Sequence, residues 1–160
     1  MARLEPTMFR EYDLRGRVSE EELNEYSVSI IAMAYGTMLK NRGITEAVVG
    51  HDLRLGSQEL TEVAIQALRS TGVNVIFIGQ VLTPLMYSAQ YHFESKGGVM
   101  VTASHNPNGW LGFKLALGYS YTFGPTEMRE LRELTMTENF SVGQGSLQVH
   151  DYLPIYTQDV

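Results

Sequence analysis

Hydrophobic and polar positions in this chain follow two different periods, and the switching between them sets out most of the elements. Glu46-Ala-Val-Val-Gly50 is a short apolar run without polar alternation, as a strand buried on both faces would show. Val73-Asn-Val-Ile-Phe-Ile78 and Gly98-Val-Met-Val-Thr102 read the same way, and Phe113-Lys-Leu-Ala-Leu117 begins a fourth strand. Between these runs the apolar positions recur at helical intervals. Leu23, Tyr26, Ile30 and Ala34 predict a helix over about 20–41, opened by the capping-box spacing of Ser19-Glu-Glu-Glu22 and closed near Gly43. Leu60, Val63, Ala64, Ala67 and Leu68 form the stripe of a second helix, with Ser57 as N-cap and Gly72 at its end. Thr83-Pro84 sets a cap residue before a proline and predicts a helix to about Phe93, while Pro125 opens a last one to about Leu134.

Strands alternating with helices of this length imply right-handed βαβ units, an α/β fold and a three-layer α/β/α sandwich. The connection between the third and fourth strands is too short for a crossover helix, so the fourth is expected antiparallel to the third. The expected sheet is four-stranded, mixed and mostly parallel. Ligands of such sheets sit beyond the carboxyl ends of the strands. The loops His51-Asp-Leu-Arg54 and Thr102-Ala-Ser104 follow the first and third strands, so both should open on one rim. From Thr137 onward Gly143, Gly145 and Ser146 give the character of a link, and Asp151-Tyr-Leu-Pro-Ile-Tyr156 restarts an apolar pattern. The expectation is one domain over 1–150, with 151–160 starting a connection to a second domain that the chain lacks.

At 160 residues the chain can bury a real core without staples, and with no cysteine it has no disulfide, thiolate metal site or cysteine nucleophile. A reducing cytoplasm is the expected home. No window approaches the ~18 apolar residues of a membrane span, so no membrane partner is expected. A net charge of −6 with no offsetting basic stripe argues against a nucleic-acid partner. Cations gather only locally, with Arg10, Arg15 and Arg17 in one segment, the scale of one small anionic ligand or of a solvated loop. Neither Gly-x-Gly-x-x-Gly nor Gly-x(4)-Gly-Lys-Ser/Thr occurs after a strand, which removes the usual fingerprints of nucleotide binding.

The chemistry concentrates in Thr102-Ala-Ser-His-Asn-Pro-Asn-Gly-Trp-Leu-Gly-Phe-Lys114. Ser104 stands on a small-residue loop whose backbone N–H groups can face phosphate oxygens while Lys114 supplies charge. A hydrolase triad is disfavoured, since Gly-x-Ser-x-Gly is missing and His105 is the immediate neighbour of Ser104. A serine that carries a phosphoryl group fits better, because that transfer asks a protein mainly for positioning and charge. Taken alone, Ser-His-Asn-Pro is also the composition of a plain turn. The 4 histidines show no metal-ligand spacing, and Asp52 is expected to pair with Arg54. Trp110, Tyr119, Tyr121 and Phe123 could stack on a sugar, with core or interdomain packing the simpler role.

Three segments in order resemble the α-D-phosphohexomutase family, the phosphoglucomutase and phosphomannomutase type. Phe9-Arg-Glu-Tyr-Asp-Leu-Arg-Gly16 is similar to its N-terminal signature, Gly50-His-Asp-Leu-Arg54 to its Gly-Arg-Asp-x-Arg, and Thr102-Ala-Ser-His-Asn-Pro107 to its phosphoserine loop. The resemblance is to the first of the family's four domains. It implies reversible interconversion of hexose 1- and 6-phosphates through a phosphoserine and a bisphosphorylated sugar. By position, Ser104 would hold the phosphate and His105 and Lys114 would flank the reacting oxygen as charge stabiliser or acid/base. Arg15 would neutralise charge beside the phosphoserine, with Tyr12 helping to order that segment; Tyr12, Arg15 and Lys114 would meet the substrate. The implied cofactors are Mg2+, held through the Ser104 phosphate with its other ligands from an absent domain, and a hexose 1,6-bisphosphate activator. The implied partners are a hexose phosphate and the remaining domains of a parent enzyme, without which the chain should be inactive. The family's Asn-Gly-x-Lys is Leu111-Gly-Phe-Lys114 here, its Pro-x-Tyr is replaced by Asn108-Gly-Trp110, and His51 stands where arginine is common. A phosphosugar-binding or regulatory module reusing the fold is the alternative.

Overall fold

The computed structural model of the chain describes residues 4–103 and 106–159. After a turn of 3-10 helix at Pro6–Met8, the elements in chain order are β1 (Leu14–Arg17), α1 (Glu25–Asn41), β2 (Glu46–His51), α2 (Ser57–Ser70) and β3 (Asn74–Gln80). There follow α3 (Thr83–His92), β4 (Gly97–Val101), β5 (Trp110–Gly118), β6 (Tyr121–Thr122), α4 (Pro125–Thr137), β7 (Leu147–Val149) and α5 (Leu153–Asp159). The sheet runs β1-β5-β4-β2-β3-β7, with β6 paired to β5. β2 is parallel to both β3 and β4, and β3 is parallel to β7. β5 is antiparallel to β4, as the short connection requires, and antiparallel to β1 on its other side.

Successive residues on the parallel strands face opposite layers, which divides the core in two. Ala47, Val49, Val75, Val99 and Val101 face α1, α2 and α4, where Ile31, Tyr35, Leu39, Leu68 and Leu131 are buried. Val48, Ile76, Ile78 and Met100 face α3, where Met86 and Ala89 are buried. The result is the expected α/β/α sandwich. Tyr35 ties the larger core to the sheet: its hydroxyl donates to the Ala116 carbonyl at 2.6 Å and accepts from the Gly98 N–H at 2.9 Å. Burial pushes this phenol well above its ordinary value, the two backbone partners notwithstanding.

The four expected strands form the centre of the sheet, and β1, β6 and β7 extend it to seven. α1 begins later than the Ser19 spacing predicts. Ser19 Oγ does accept the Glu22 N–H at 3.2 Å, but the Glu22 carboxylate turns to the Arg17 N–H at 3.1 Å instead of closing the box. Asn24 and Ser27 close a reciprocal box at 3.0 Å each, so the helix starts there. Likewise Gly56, at φ 89°, is the N-cap of α2, and Ser57 is its first helical residue. The stretch after α4 is more than a link. Gly145 N–H donates to Arg69 O at 2.8 Å, β7 joins the sheet, and Tyr152 is fully buried with its hydroxyl 2.8 Å from Ser88 Oγ. Among the described residues, no helix is long and apolar enough to cross a membrane.

Candidate functional site

The rim at the carboxyl ends of β2 and β4 receives the connection from β4 to β5. Ser104 and His105, the first two residues of interest in that connection, lie outside the described residues. Its flanks are pinned from several sides. The Thr102 N–H donates to Gly112 O at 2.9 Å, Asn106 N–H to Ala103 O at 3.0 Å and Val18 N–H to Gly109 O at 2.8 Å. Arg54 Nη1 donates to Pro107 O at 2.8 Å, so the loop after β2 reaches the loop after β4 as the alternating topology predicts.

β1 brings the N-terminal signature to the same rim. Leu14 is fully buried and pairs with Phe113, which fixes the face on which Arg15 emerges. Arg15 Nη1 donates to Asn106 Oδ1 at 2.5 Å, and its Nε and Nη2 donate to Asp13 Oδ2 at 3.2 and 3.1 Å. Lys114 Nζ lies 3.8 Å from the same Asp13 oxygen. Arg15 and Lys114 are therefore brought together, through a residue the sequence reading did not single out. Its place follows from the fold: the β1–β5 register, carried one residue beyond the pairing of Leu14 with Phe113, sets Asp13 opposite Lys114. Gly112 makes room for this arrangement, since a Cβ there would lie 2.3 Å from Leu14 O and 3.1 Å from Arg15 Cγ.

Asp52 forms a second charged cluster on the rim. Its Oδ1 accepts from Ser57 Oγ at 2.6 Å and from the Arg54 N–H at 2.9 Å, while Arg54 Nε lies 4.0 Å from Oδ2, the expected ion pair. Burial alone would push the carboxyl up, but the bonds from Ser57, Arg54 and Thr102 and the Arg54 charge outweigh it and hold it below its ordinary value. His51 is buried, stacks on Phe77 at 5.9 Å and donates through Nδ1 to the Asp52 carbonyl at 2.8 Å, a structural role. Tyr12 is 60% exposed. Trp110 lies under the guanidinium groups of Arg10 and Arg17, 5.9 and 5.4 Å from the ring centroid. Phe123 is core, and Tyr119 stacks on Tyr91 at 5.1 Å.

The rim's carboxylates are thus engaged by cations and hydroxyls, and among the described residues no group of His, Asp or Glu could hold a metal ion. The described residues alone do not fit a Mg2+ site. What the arrangement can do is receive an anion between Arg15, Lys114 and the loop they flank.

An α/β/α sandwich with such a loop at its rim is the architecture of a phosphosugar mutase domain. The family model described as phosphoglucomutase/phosphomannomutase, alpha/beta/alpha domain I, matches residues 6–142, and the chain belongs to that family. It is 36% identical to the phosphomannomutase/phosphoglucomutase of Pseudomonas aeruginosa over 98% of this chain and 34% of the relative. It is 32% identical to the phosphoglucomutase of Neisseria meningitidis over the whole of this chain and 35% of the relative. The crystal structure of a phosphoglucomutase/phosphomannomutase family protein from Burkholderia thailandensis superposes with a TM-score of 0.90 at 28% identity, covering 97% of this chain and 35% of that one. The chain spans about a third of the length of the curated relatives it matches.

Proposed function

We propose that this chain is the phosphoserine domain of a phosphohexomutase, with Ser104 carrying the phosphoryl group exchanged between the 1- and 6-positions of a hexose. The observation that carries the reading is the convergence of Arg15 and Lys114 beside the loop, with Arg15 bonded to Asn106 two residues past Ser104. In the transfer, a sugar hydroxyl oxygen bonds to phosphorus as the Ser104 Oγ–P bond breaks, and the hydroxyl proton passes in net to the serine oxygen. Arg15 and Lys114 stabilise the charge spread over the phosphoryl oxygens, with His105 beside them as charge stabiliser or acid/base. Mg2+ would be held through the Ser104 phosphate with its other ligands outside the described residues, and no step here runs through it. The substrate is a hexose phosphate and the activator a hexose 1,6-bisphosphate.

The test uses protein made from its complete reading frame and treated with glucose 1,6-bisphosphate. The expected result is one added phosphate by intact mass, mapped to Ser104, and loss of turnover in Ser104→Ala. Full turnover in that variant would overturn the assignment. The 160-residue chain alone is expected to fold, to bind hexose phosphates weakly and to show no turnover. Orientation is worth about 7–11 kcal/mol in a well-placed reaction, and the remaining walls of the cleft would supply most of it. Sustained turnover by the chain alone in a coupled assay would require a complete site within these residues.

A further inference from the structure

We infer that Asp13 is a positioning residue, whose carboxylate holds Arg15 and Lys114 in place beside the loop before a phosphoryl group arrives. The inference rests on the reading of Ser104 given above. One carboxylate oxygen, Oδ2, takes both Nε and Nη2 of Arg15 and faces Lys114 Nζ. That leaves Arg15 Nη1 free to reach Asn106 on the loop. The three side chains are 14% (Asp13), 26% (Arg15) and 27% (Lys114) exposed, so their charges are only partly screened by water. Without a shared counter-ion two like charges would repel each other into solvent, and a long flexible lysine would sample many rotamers.

The backbone explains why the acid stands at this position. Leu14 is locked into the core and paired with Phe113, so its neighbour Asp13 must emerge on the opposite side, the side of Arg15. Asp13 is the last residue before β1, where the chain is still free to turn its carboxylate along the sheet edge toward β5. Partly exposed ion pairs contribute little to folding, so two cations converging on one oxygen add more to geometry than to stability. Phosphoryl transfer responds to geometry: groups already aimed at the developing charge need no reorganisation during the reaction. The carboxylate also offsets part of the positive charge, which keeps the site from gripping its phosphate too tightly to release it.

The experiment measures the rate of phosphate incorporation at Ser104 from glucose 1,6-bisphosphate, by rapid quench and intact mass, on protein from the complete reading frame. Asp13→Asn keeps the shape and removes the charge; it is expected to slow incorporation on the order of 10²-fold while leaving the melting temperature unchanged. Asp13→Glu restores the charge and should recover most of the rate even if the asparagine variant folds poorly. Because Asp13 acts through Arg15 and Lys114, Asp13→Asn in an Arg15→Ala background should add a clearly smaller loss than it does in the parent, whereas an independent role would add its full effect. Incorporation at the parent rate in Asp13→Asn, or an undiminished additional loss in the double variant, overturns the inference and leaves the Ser104 reading intact. A parent protein that takes no phosphate at Ser104 overturns that reading itself.

Discussion

The interior of the sandwich and its rim satisfy their polar groups in different ways. In the interior, Tyr35 bonds to the Gly98 and Ala116 backbone. Gln90, also fully buried, donates through Nε2 to the Ser95, Lys96 and Gly118 carbonyls at 3.2, 3.2 and 3.3 Å. On the rim, Asp13, Arg15, Lys114, Asp52 and Ser57 are held mainly by one another's side chains. A backbone partner belongs to the fold and cannot be given up without disturbing a strand. A side-chain partner can be exchanged for a ligand oxygen at small cost, so the interior fixes shape while the rim stays open to chemistry.

The largest effect that would test this contrast falls on activity. Arg15→Ala and Lys114→Ala should each lower turnover of the complete enzyme on the order of 10²–10³-fold, as loss of a charge-stabilising donor does. Their unfolding free energies should stay within about 0.5 kcal/mol of the parent. Steady-state kinetics beside urea melts reads both. A Lys114→Ala variant that unfolds, yet keeps normal activity per folded molecule, would place the lysine with the interior.

Next in size is an effect on stability alone. Tyr35→Phe removes the hydroxyl between β4 and β5 and leaves buried backbone groups short of a partner, at a cost of about 1–3 kcal/mol. Urea unfolding should show the loss while turnover per folded molecule is unchanged. Reduced turnover in the folded variant would mean that interior and rim are coupled.

The smallest effect concerns pH. The Asp52 carboxyl is held below its ordinary value, so the native state favours the ionised form and the group stabilises the fold above the unfolded carboxyl's value of about 3.9. Melting temperatures of the parent and Asp52→Asn should differ by a constant margin above about pH 5, and the margin should close as pH falls through the depressed native value. A margin that widens in acid would reverse the assignment.

Which of these groups could be read from the sequence follows from the same contrast. β2 and β4 were visible because they are buried on both faces and so lack polar alternation, and β3 and β5 because their central residues are mostly buried and apolar. β1 and β7 are short edge strands, Leu-Arg-Gly-Arg and Leu-Gln-Val, whose pairing depends on neighbours distant in the chain. The start of α1 was misplaced because Ser19 and Glu22 offered a box that only half closes, while Asn24 and Ser27, less obvious by composition, close fully. On the rim, Lys114 stood out in the serine loop and Arg15 in the local cation cluster, and both were given roles by motif resemblance. Asp13 was not, because its role follows from strand register, which no local pattern displays.

The placement of β1 also bears on how the protein is made. Arg15 meets Asn106 across 91 positions of chain, whereas β2, β3 and β4 are joined by local βαβ connections. The ladder partner of β1 is β5, so the strand hydrogen bonds of the N-terminal arm, which close a loop of that span, wait until β5 exists. During synthesis the arm emerges first and is seated late, after the chain has been extended through Gly118. Arg15 and Lys114 therefore come together only where β1 and β5 have paired, so the cluster around Asp13 is a product of the finished sheet and not of the arm that carries two of its three charges.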